Sequence, residues 1–275
     1  MKILRHKLHH DDREPVRLER TPNKGGNLDP RFLVIHYTAG PDLDSSVRWL
    51  CRKEARASAH LCIGRDGSIV QLAPFNRVTW HAGISRWNGI KGLNRHSIGI
   101  ELDNAGRLKR QGEGEWTSWF GRRYPEEEVA IDTHKHEVEE AGWHTFTPEQ
   151  IRATLEVSAL LVDHYGLKDV LGHDDISPGR KSDPGPAFPL ESLRARLLGR
   201  EEHQPPTLET STHLNIRSGP GTEFERLEGS PLAPGVLVEV VEEAADWRLV
   251  DVSEGEGRPA DLQGWVHGKF LRESG

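Results

Sequence analysis

His173, Lys181 and Asp183 stand in one irregular loop, Gly172 to Gly185, at offsets 0, +8 and +10. An imidazole and a carboxylate both suit zinc, and a catalytic zinc site takes three protein ligands and leaves one position for water. His36, at the end of the apolar run Phe32-Leu33-Val34-Ile35, is the candidate for the missing ligand. A second carboxylate, Glu101, lies inside the apolar stretch Ser97 to Leu102, where an unpaired charge is costly unless it has a task or a partner. Alone, each histidine is more often structural than ligating, and a Gly/Pro-rich loop with one histidine is an ordinary surface turn.

Such residues need rigid elements behind them. Phe32 to Ile35 is long enough for a strand buried on both faces. Asp42 to Glu54 reads as a helix, with Val47, Leu50, Cys51 and Glu54 at helical spacing and Asp42 or Asp44 as N-cap. Asp66-Gly67, between Leu61-Cys62-Ile63 and Ile69-Val70-Gln71-Leu72, predicts a hairpin, and Ser97 to Leu102 another short strand. Thr147-Pro148-Glu149-Gln150 is a capping box that opens a helix with Ile151, Leu155, Ser158, Leu161, Val162 and Tyr165 inward and Gly166 at its end. A last helix is expected over Leu190 to Leu198, stopping at Gly199. Strands interleaved with helices argue for an α/β domain, a mixed central β-sheet flanked by helices.

Asn104 to Phe146 interrupts that rhythm. It is charged and aromatic, with Trp116, Trp119, Phe120, Tyr124 and Trp143, and a stretch of that length is either functional or a separate excursion. Within it, His134 and His136 could bind a metal in isolation, but the expectation is a solvated helix face; His60 is expected to pack in the core.

Hydrophobic residues make up 35% and charged residues 29% of the chain, and a mean hydropathy of −0.63 fits a soluble globular protein. No run approaches the roughly 18 apolar residues of a membrane helix, so membrane insertion is not expected. The first residues have no apolar h-region, so no secretory signal peptide is visible and synthesis in the cytoplasm is expected. Cys51 and Cys62 make no disulfide framework and read as small buried side chains in a reducing compartment. From Leu208 onward there are 13 Asp/Glu against 6 Lys/Arg, while the first 207 residues carry 30 of each sign. Neither part has the basic patch of a nucleic-acid binder, and that class is set aside.

Glu201 to Thr207, with Pro205-Pro206, reads as a stiff polar linker. Beyond it, Asn215 to Gly221, Val236 to Val240, Trp247 to Val250 and Gly264 to His267 are short β-like runs separated by Gly, Pro and Asp, which suggests a small all-β barrel. Its opening and its Gly264-Trp265-Val266 ending resemble the bacterial SH3 domains appended to cell-wall hydrolases, with a longer, more polar loop from Ser253 to Gln263.

From about Arg20 to Leu198 the chain resembles the zinc-dependent N-acetylmuramoyl-L-alanine amidases (amidase type 2) of the AmpD and phage-lysozyme kind, related to the peptidoglycan recognition proteins. The resemblance puts His36 and His173 on the two histidine ligands of Zn2+ and Asp183 on the third, where recognition proteins and phage enzymes use Cys. It puts Glu101 on the catalytic glutamate and implies an oxyanion-stabilising role for Lys181. Thr79-Trp80-His81-Ala82-Gly83 matches a motif near the substrate groove, so Trp80 and His81 are expected to touch substrate, with Asn94 facing the same groove. A fourth protein ligand at His81 would close the zinc site, which argues against that role.

The implied organisation is an amidase domain over residues 1–200, a linker at 201–207 and an SH3-like domain at 208–275. The first carries an N-terminal extension, 1–28, and an insertion, about 105–146, that either walls the groove or merely covers the core. The implied activity is hydrolysis of the amide between N-acetylmuramic acid and L-alanine by a zinc-activated water. The expected partner is peptidoglycan or its muropeptides, with the acidic module binding by shape and aromatic contact rather than charge. The site of action is the cytosol or, as the wall-binding type of module favours, the cell wall after signal-less export as a lytic effector or endolysin, with a secretion or immunity partner in the effector case. The alternative is a catalytically silent peptidoglycan receptor of the same fold.

Overall fold

In the computed structural model the first unit, Met1–Arg200, is built on a six-stranded sheet of β1 (Arg17–Leu18), β2 (Phe32–Tyr37), β3 (Leu61–Ile63), β4 (Ile69–Gln71), β5 (Ser97–Leu102) and β6 (Asp169–Gly172). Residues 1–112, 114–198, 208–252 and 262–273 are described; the expected linker, the helix stop at Gly199 and nearly all of the loop 253–263 lie outside them. The strand order is β6-β2-β5-β3-β4-β1. All neighbours run parallel except the hairpin pair β3 and β4, so the sheet is mixed.

Register decides what each face carries. Ile98, Ile100 and Leu102 stand opposite Leu33, Ile35 and Tyr37. With Leu61, Ile63, Val157 and Leu161 they form the main core. Side chains alternate along a strand, so Phe32 and Val34 face the other way, against Ala82, Leu93, Leu171 and Ile176. His36 and Glu101 are direct cross-strand partners in the same ladder. Strand β2 runs two residues beyond the apolar run, so His36 is held inside a strand rather than at its exit.

Helix α1 (Leu43–Leu50) starts at Asp42, whose side chain accepts the Ser45 N–H at 2.7 Å. It stops short of Glu54, giving way to a 3-10 turn at Lys53–Ala55. The reason lies in the N-terminal extension: Thr21 Oγ1 donates to the Leu50 carbonyl, and the Asn23 amide to those of Arg52 and Ala57. Helix α2 (Pro148–Tyr165) is capped by Thr147 and closed by Gly166 in the left-handed conformation at φ 60°. Its buried line is Gln150, Thr154, Val157, Ser158 and Leu161, whereas Ile151, Leu155, Val162 and Tyr165 are partly buried. Two of the polar members are bonded: Gln150 Nε2 donates to Ile63 O at 3.0 Å and Asp103 O at 3.1 Å, and Thr154 Oγ1 to Gln150 O at 2.7 Å, whereas Ser158 Oγ has no partner among the described residues. Helices α3 (His173–Ile176) and α4 (Leu190–Leu198) follow β6.

The stretch after Asn104 is a separate antiparallel sheet of Arg107–Gly112, Glu115–Thr117, Arg123–Tyr124, Val129–Thr133 and Glu140–His144. Ala105, Leu108, Trp116 and Tyr124 form its small core. His134 and His136 are not on a solvated helix face. They occupy the turn after Val129–Thr133, and His134 is buried, its ring stacked on Trp143 with centroids 5.7 Å apart. The charged neighbours Lys135 and Glu137 look like solvated positions in the sequence, but the partners of this turn lie 40 residues away.

The second unit holds five antiparallel strands, β7 (Leu208–Thr210), β8 (Leu237–Ala244), β9 (Trp247–Val252), β10 (Gln263–His267) and β11 (Leu271–Glu273), in the order β10-β9-β8-β7-β11. Leu214, Ile216, Leu232, Val236, Val238, Val250, Leu262 and Val266 make its core. Gly264 is required by close approach, since a Cβ there would lie 2.6 Å from Ile216 Cγ1. Both cysteines are free, and among the described residues no helix is long and apolar enough to cross a membrane.

His60 packs behind β5. Its Nδ1 accepts the Gly99 N–H at 3.0 Å and its Nε2 donates to the Arg77 carbonyl at 2.8 Å. Burial pulls its pKa down to about 4, below the ordinary value of about 6.5. The unfolded chain therefore takes the proton first, and the contribution of His60 to stability is lost as pH falls from about 6.5 through 4. His60→Leu is expected to cost about 1–3 kcal/mol at pH 7 by orphaning the Gly99 N–H. In urea melts the gap between parent and variant should narrow as pH falls through that window; a constant gap would show that His60 is not neutral in the folded protein.

Candidate active site

Three elements bring three donor atoms together. His36 projects from β2, His173 opens α3 directly after β6, and Asp183 returns ten residues later in the chain. His36 Nδ1 and His173 Nδ1 are 2.9 Å apart, and each is 2.9 Å from Asp183 Oδ2. All three residues are buried.

The surrounding bonds assign the protons. His173 Nε2 faces the Ala82 carbonyl at 3.2 Å, an acceptor, so this nitrogen carries the hydrogen. His81 Nε2 faces the Ser97 carbonyl at 3.3 Å and carries one for the same reason. His81 Nδ1 must then accept from His36 Nε2–H, 3.0 Å away. Both ring nitrogens that meet Asp183 are consequently bare lone pairs. Burial, reinforced by nearby His173, pulls the His36 pKa down to about 4, so the ring is neutral near pH 7. Three lone pairs at this spacing repel unless a cation lies among them. An N, N, O donor set with the outer nitrogens bonded to protein groups fits a divalent metal of the zinc type.

Glu101 stands beside His36 in the β2–β5 ladder. Its Oε2 is buried with no hydrogen-bond partner among the described residues. Burial, and then the Asp183 carboxylate, push its pKa well above the ordinary range, while Lys181 pulls it down. Lys181 is itself exposed, and its charge is felt at both Glu101 and His36. Tyr37 bonds Ser182 Oγ at 2.9 Å through its hydroxyl, whose pKa burial pushes up to about 12.

The residues expected to touch substrate divide. Trp80 is 39% exposed and available. His81 gives way to a different place: it is buried behind His36 with both nitrogens bonded to protein, which leaves none for a ligand. Asn94 Oδ1 accepts the Ala82 N–H at 2.7 Å and so fixes the segment that carries His81. Arg180 was not foreseen as a site residue. Its Nη2 donates to Ile84 O at 2.7 Å, Ala82 O at 3.1 Å and Ser177 Oγ at 2.6 Å, knotting the ligand loop to the 81–84 segment. Its only sequence signal is a charge in a Gly/Pro-rich loop, which names no partner.

Residues 26–186 match the N-acetylmuramoyl-L-alanine amidase family and residues 210–273 the bacterial SH3 domain family. The chain is 35% identical over 178 residues to N-acetylmuramoyl-L-alanine amidase AmiD of Escherichia coli K12, covering 62% of this chain and 54% of AmiD. It therefore spans about half of AmiD's length. It is also 35% identical over 192 residues to 1,6-anhydro-N-acetylmuramyl-L-alanine amidase AmpD of the same organism, covering 63% and 84% of the two chains. A crystal structure of a selenomethionine AmpD derivative superposes with a TM-score of 0.48 at 25% identity, covering 70% of this chain and 99% of that one.

The wedged position of His81 gives a direct test. A Cβ on Gly99 would lie 2.5 Å from His81 Cγ, so Gly99→Ala must displace the ring. Overpacking of this kind costs about 1–3 kcal/mol. Gly26→Ala, where a Cβ meets nothing within 4 Å, serves as the comparison and should stay within about 0.5 kcal/mol. Equal stabilities of the two variants in chemical denaturation would show that His81 is not held against β5.

Proposed function

This chain belongs to the N-acetylmuramoyl-L-alanine amidase family, and from that premise we propose that it hydrolyses the amide between N-acetylmuramic acid and the L-alanine of peptidoglycan stem peptides, with a zinc ion held by His36, His173 and Asp183. The observation that carries this reading is the convergence of three lone-pair donors beside Glu101, a carboxylate with one buried oxygen left without a partner among the described residues. When bound, zinc lowers the pKa of a water and polarises an amide carbonyl.

The chain's own residues supply the rest. Glu101, its pKa raised by burial, is a competent acceptor for the proton that water gives up on attack, and the same carboxyl then returns a proton to the leaving amine. The unpartnered Oε2 is the atom free for this exchange, because among the described residues no hydrogen bond competes for it. Lys181 opposes the negative charge that develops on the carbonyl oxygen as the tetrahedral intermediate forms. His81 holds His36 in the tautomer that exposes Nδ1. Trp80 offers an aromatic face to the glycan or the peptide.

The SH3-like unit is the tether in this reading. Trp247, His267 and Phe270 line up with ring centroids 5.4 and 5.7 Å apart, an aromatic surface that suits stacking on wall sugars or peptide where an acidic module gains nothing from charge. A tether favours polymeric wall over soluble fragments as substrate, and hence work at the cell wall after export.

The purified protein is expected to hold about one zinc per chain by elemental analysis, and a chelator should abolish cleavage of a muropeptide amide until zinc is returned. Full turnover without metal would sink the mechanism. Glu101→Gln should lower kcat by roughly a hundredfold or more with zinc retained, and Lys181→Met by roughly 10²–10³. Loss of zinc together with folding in either variant would make the residue structural.

Ending the chain at Gly199 separates the tether from the chemistry. Turnover on soluble muropeptides should stay close to that of the whole chain, while binding to sacculi weakens and their digestion slows, because the tether raises local concentration at the polymer. Equal sacculus binding by the two forms would remove the targeting role.

A further inference from the structure

The inserted sheet is bonded to the rest of the first unit at two places, the turn that follows the His36 strand and the segment that follows His173. Trp119 Nε1 donates to Ala39 O at 2.7 Å and Arg122 Nη1 to Pro41 O at 3.1 Å, which holds the turn just after His36. The second grip is closer to the metal loop. Asp174 and Asp175 directly follow His173, and the turn His134-Lys135-His136 closes on them. Lys135 Nζ bridges Asp174 Oδ1 at 2.9 Å and Asp175 Oδ1 at 2.5 Å. His134 Nδ1 accepts the His136 N–H at 3.2 Å, so its Nε2 carries the hydrogen and donates to Asp174 Oδ2 at 3.1 Å. His136 Nε2 reaches the Asp174 carbonyl at 3.1 Å.

The two aspartates are secured from different sides. Asp175 Oδ2 accepts the Gly172 N–H at 2.7 Å and Arg194 Nη2 at 3.0 Å, bonds that belong to β6 and α4. The Asp174 carboxylate, buried, has all of its partners among the described residues in the inserted turn. Its backbone N–H donates to Asp183 O at 2.9 Å. One residue is thus covalently next to the His173 ligand, hydrogen-bonded to the Asp183 ligand and fixed in place from outside the ligand loop.

We propose that the His134-Lys135-His136 turn is a positioning device for the metal, which holds Asp174 so that His173 and Asp183 keep their 2.9 Å approach. The lysine supplies the charge without which a buried carboxylate would leave the interior and draw the loop with it. The histidine fixes the direction of that carboxylate, and the third contact fixes the backbone. On this proposal part of the metal affinity resides in the insertion.

The proposal rests on the zinc reading above, and its test reads metal affinity apart from turnover. In the whole chain, zinc affinity is measured by competition with a chromophoric chelator for His134→Leu, His134→Gln and Lys135→Met. His134→Leu and Lys135→Met should bind zinc roughly 10–100-fold more weakly, as outer partners of metal ligands do. His134→Gln, whose amide can still donate to Asp174, should stay near the parent value, and kcat at saturating zinc should be recovered in all three. Unchanged zinc affinity in the folded Leu and Met variants would overturn the proposal. So would failure of both to fold, which would assign the turn to the core. A parent protein that binds zinc tightly without cleaving any muropeptide amide, its variants weakened as expected, would remove the amidase reading and leave the positioning role standing.

Discussion

The parallel register between β2 and β5 is the constraint on which the site depends. It sets His36 beside Glu101 and, on the opposite face, Ile35 beside Ile100. A slip of one residue in either strand would send its whole apolar set to the wrong face and its polar residue into the core. The cost of that slip comes from Leu33, Ile35, Ile98, Ile100 and Leu102 under α2. The apolar residues, which do no chemistry, therefore specify where the chemical ones stand. Placing the reactive groups at the carboxyl ends of parallel strands follows the general habit of open α/β sheets.

A hydrogen-bonded chain then orients what the register has placed. Ser97 receives His81, His81 receives His36, and each bond leaves one choice of proton for the next. His81 can stand there because Gly99 has no side chain, and it is kept there because Asn94 holds the following backbone. Such a buried relay is costly unless every member is paired, and here the pairing runs on until it ends in lone pairs at His36, His173 and Asp183. The unsatisfied end of the network is the candidate metal site.

Much of this was legible in the sequence, for reasons that differ by residue. His173, Lys181 and Asp183 share one short loop, so their proximity is carried by spacing. His36 and Glu101 stand in apolar runs whose lengths announce buried strands, and a polar residue in such a run declares itself. The Asp66-Gly67 turn and the Thr147 cap are local signals that need no partner. His81 and His134 failed because their roles are set by residues far along the chain: Ser97 and His36 for one, Asp174 for the other. The buried line of α2 also differs, since Gln150 reads as polar and becomes interior through carbonyls of Ile63 and Asp103 that no periodicity contains, and Thr154 through the Gln150 carbonyl one turn earlier. The inserted stretch, with its bulged pairing between Arg107–Gly112 and Glu115–Thr117, lacks the strict alternation that marks a strand.

The electrostatics of the centre would couple a bound metal to Glu101. Burial drives His36 and Glu101 in opposite directions along the pH scale, the imidazole down to about 4 and the carboxyl well above its ordinary range. Both shifts favour the neutral form. A divalent ion among the three donors would reverse the balance for Glu101, because its field would stabilise a carboxylate and disfavour a protonated imidazole. The same ion that organises the ligands would therefore set Glu101 in its basic form while leaving it desolvated, and a desolvated carboxylate is a stronger proton acceptor than one in water. Lys181, exposed at the rim, adds a smaller field of the same sign. Glu101 and the three donors would then form a single electrostatic unit, and a change that weakens metal binding, wherever in the fold it originates, would reach the proton transfer through the occupancy of the metal site.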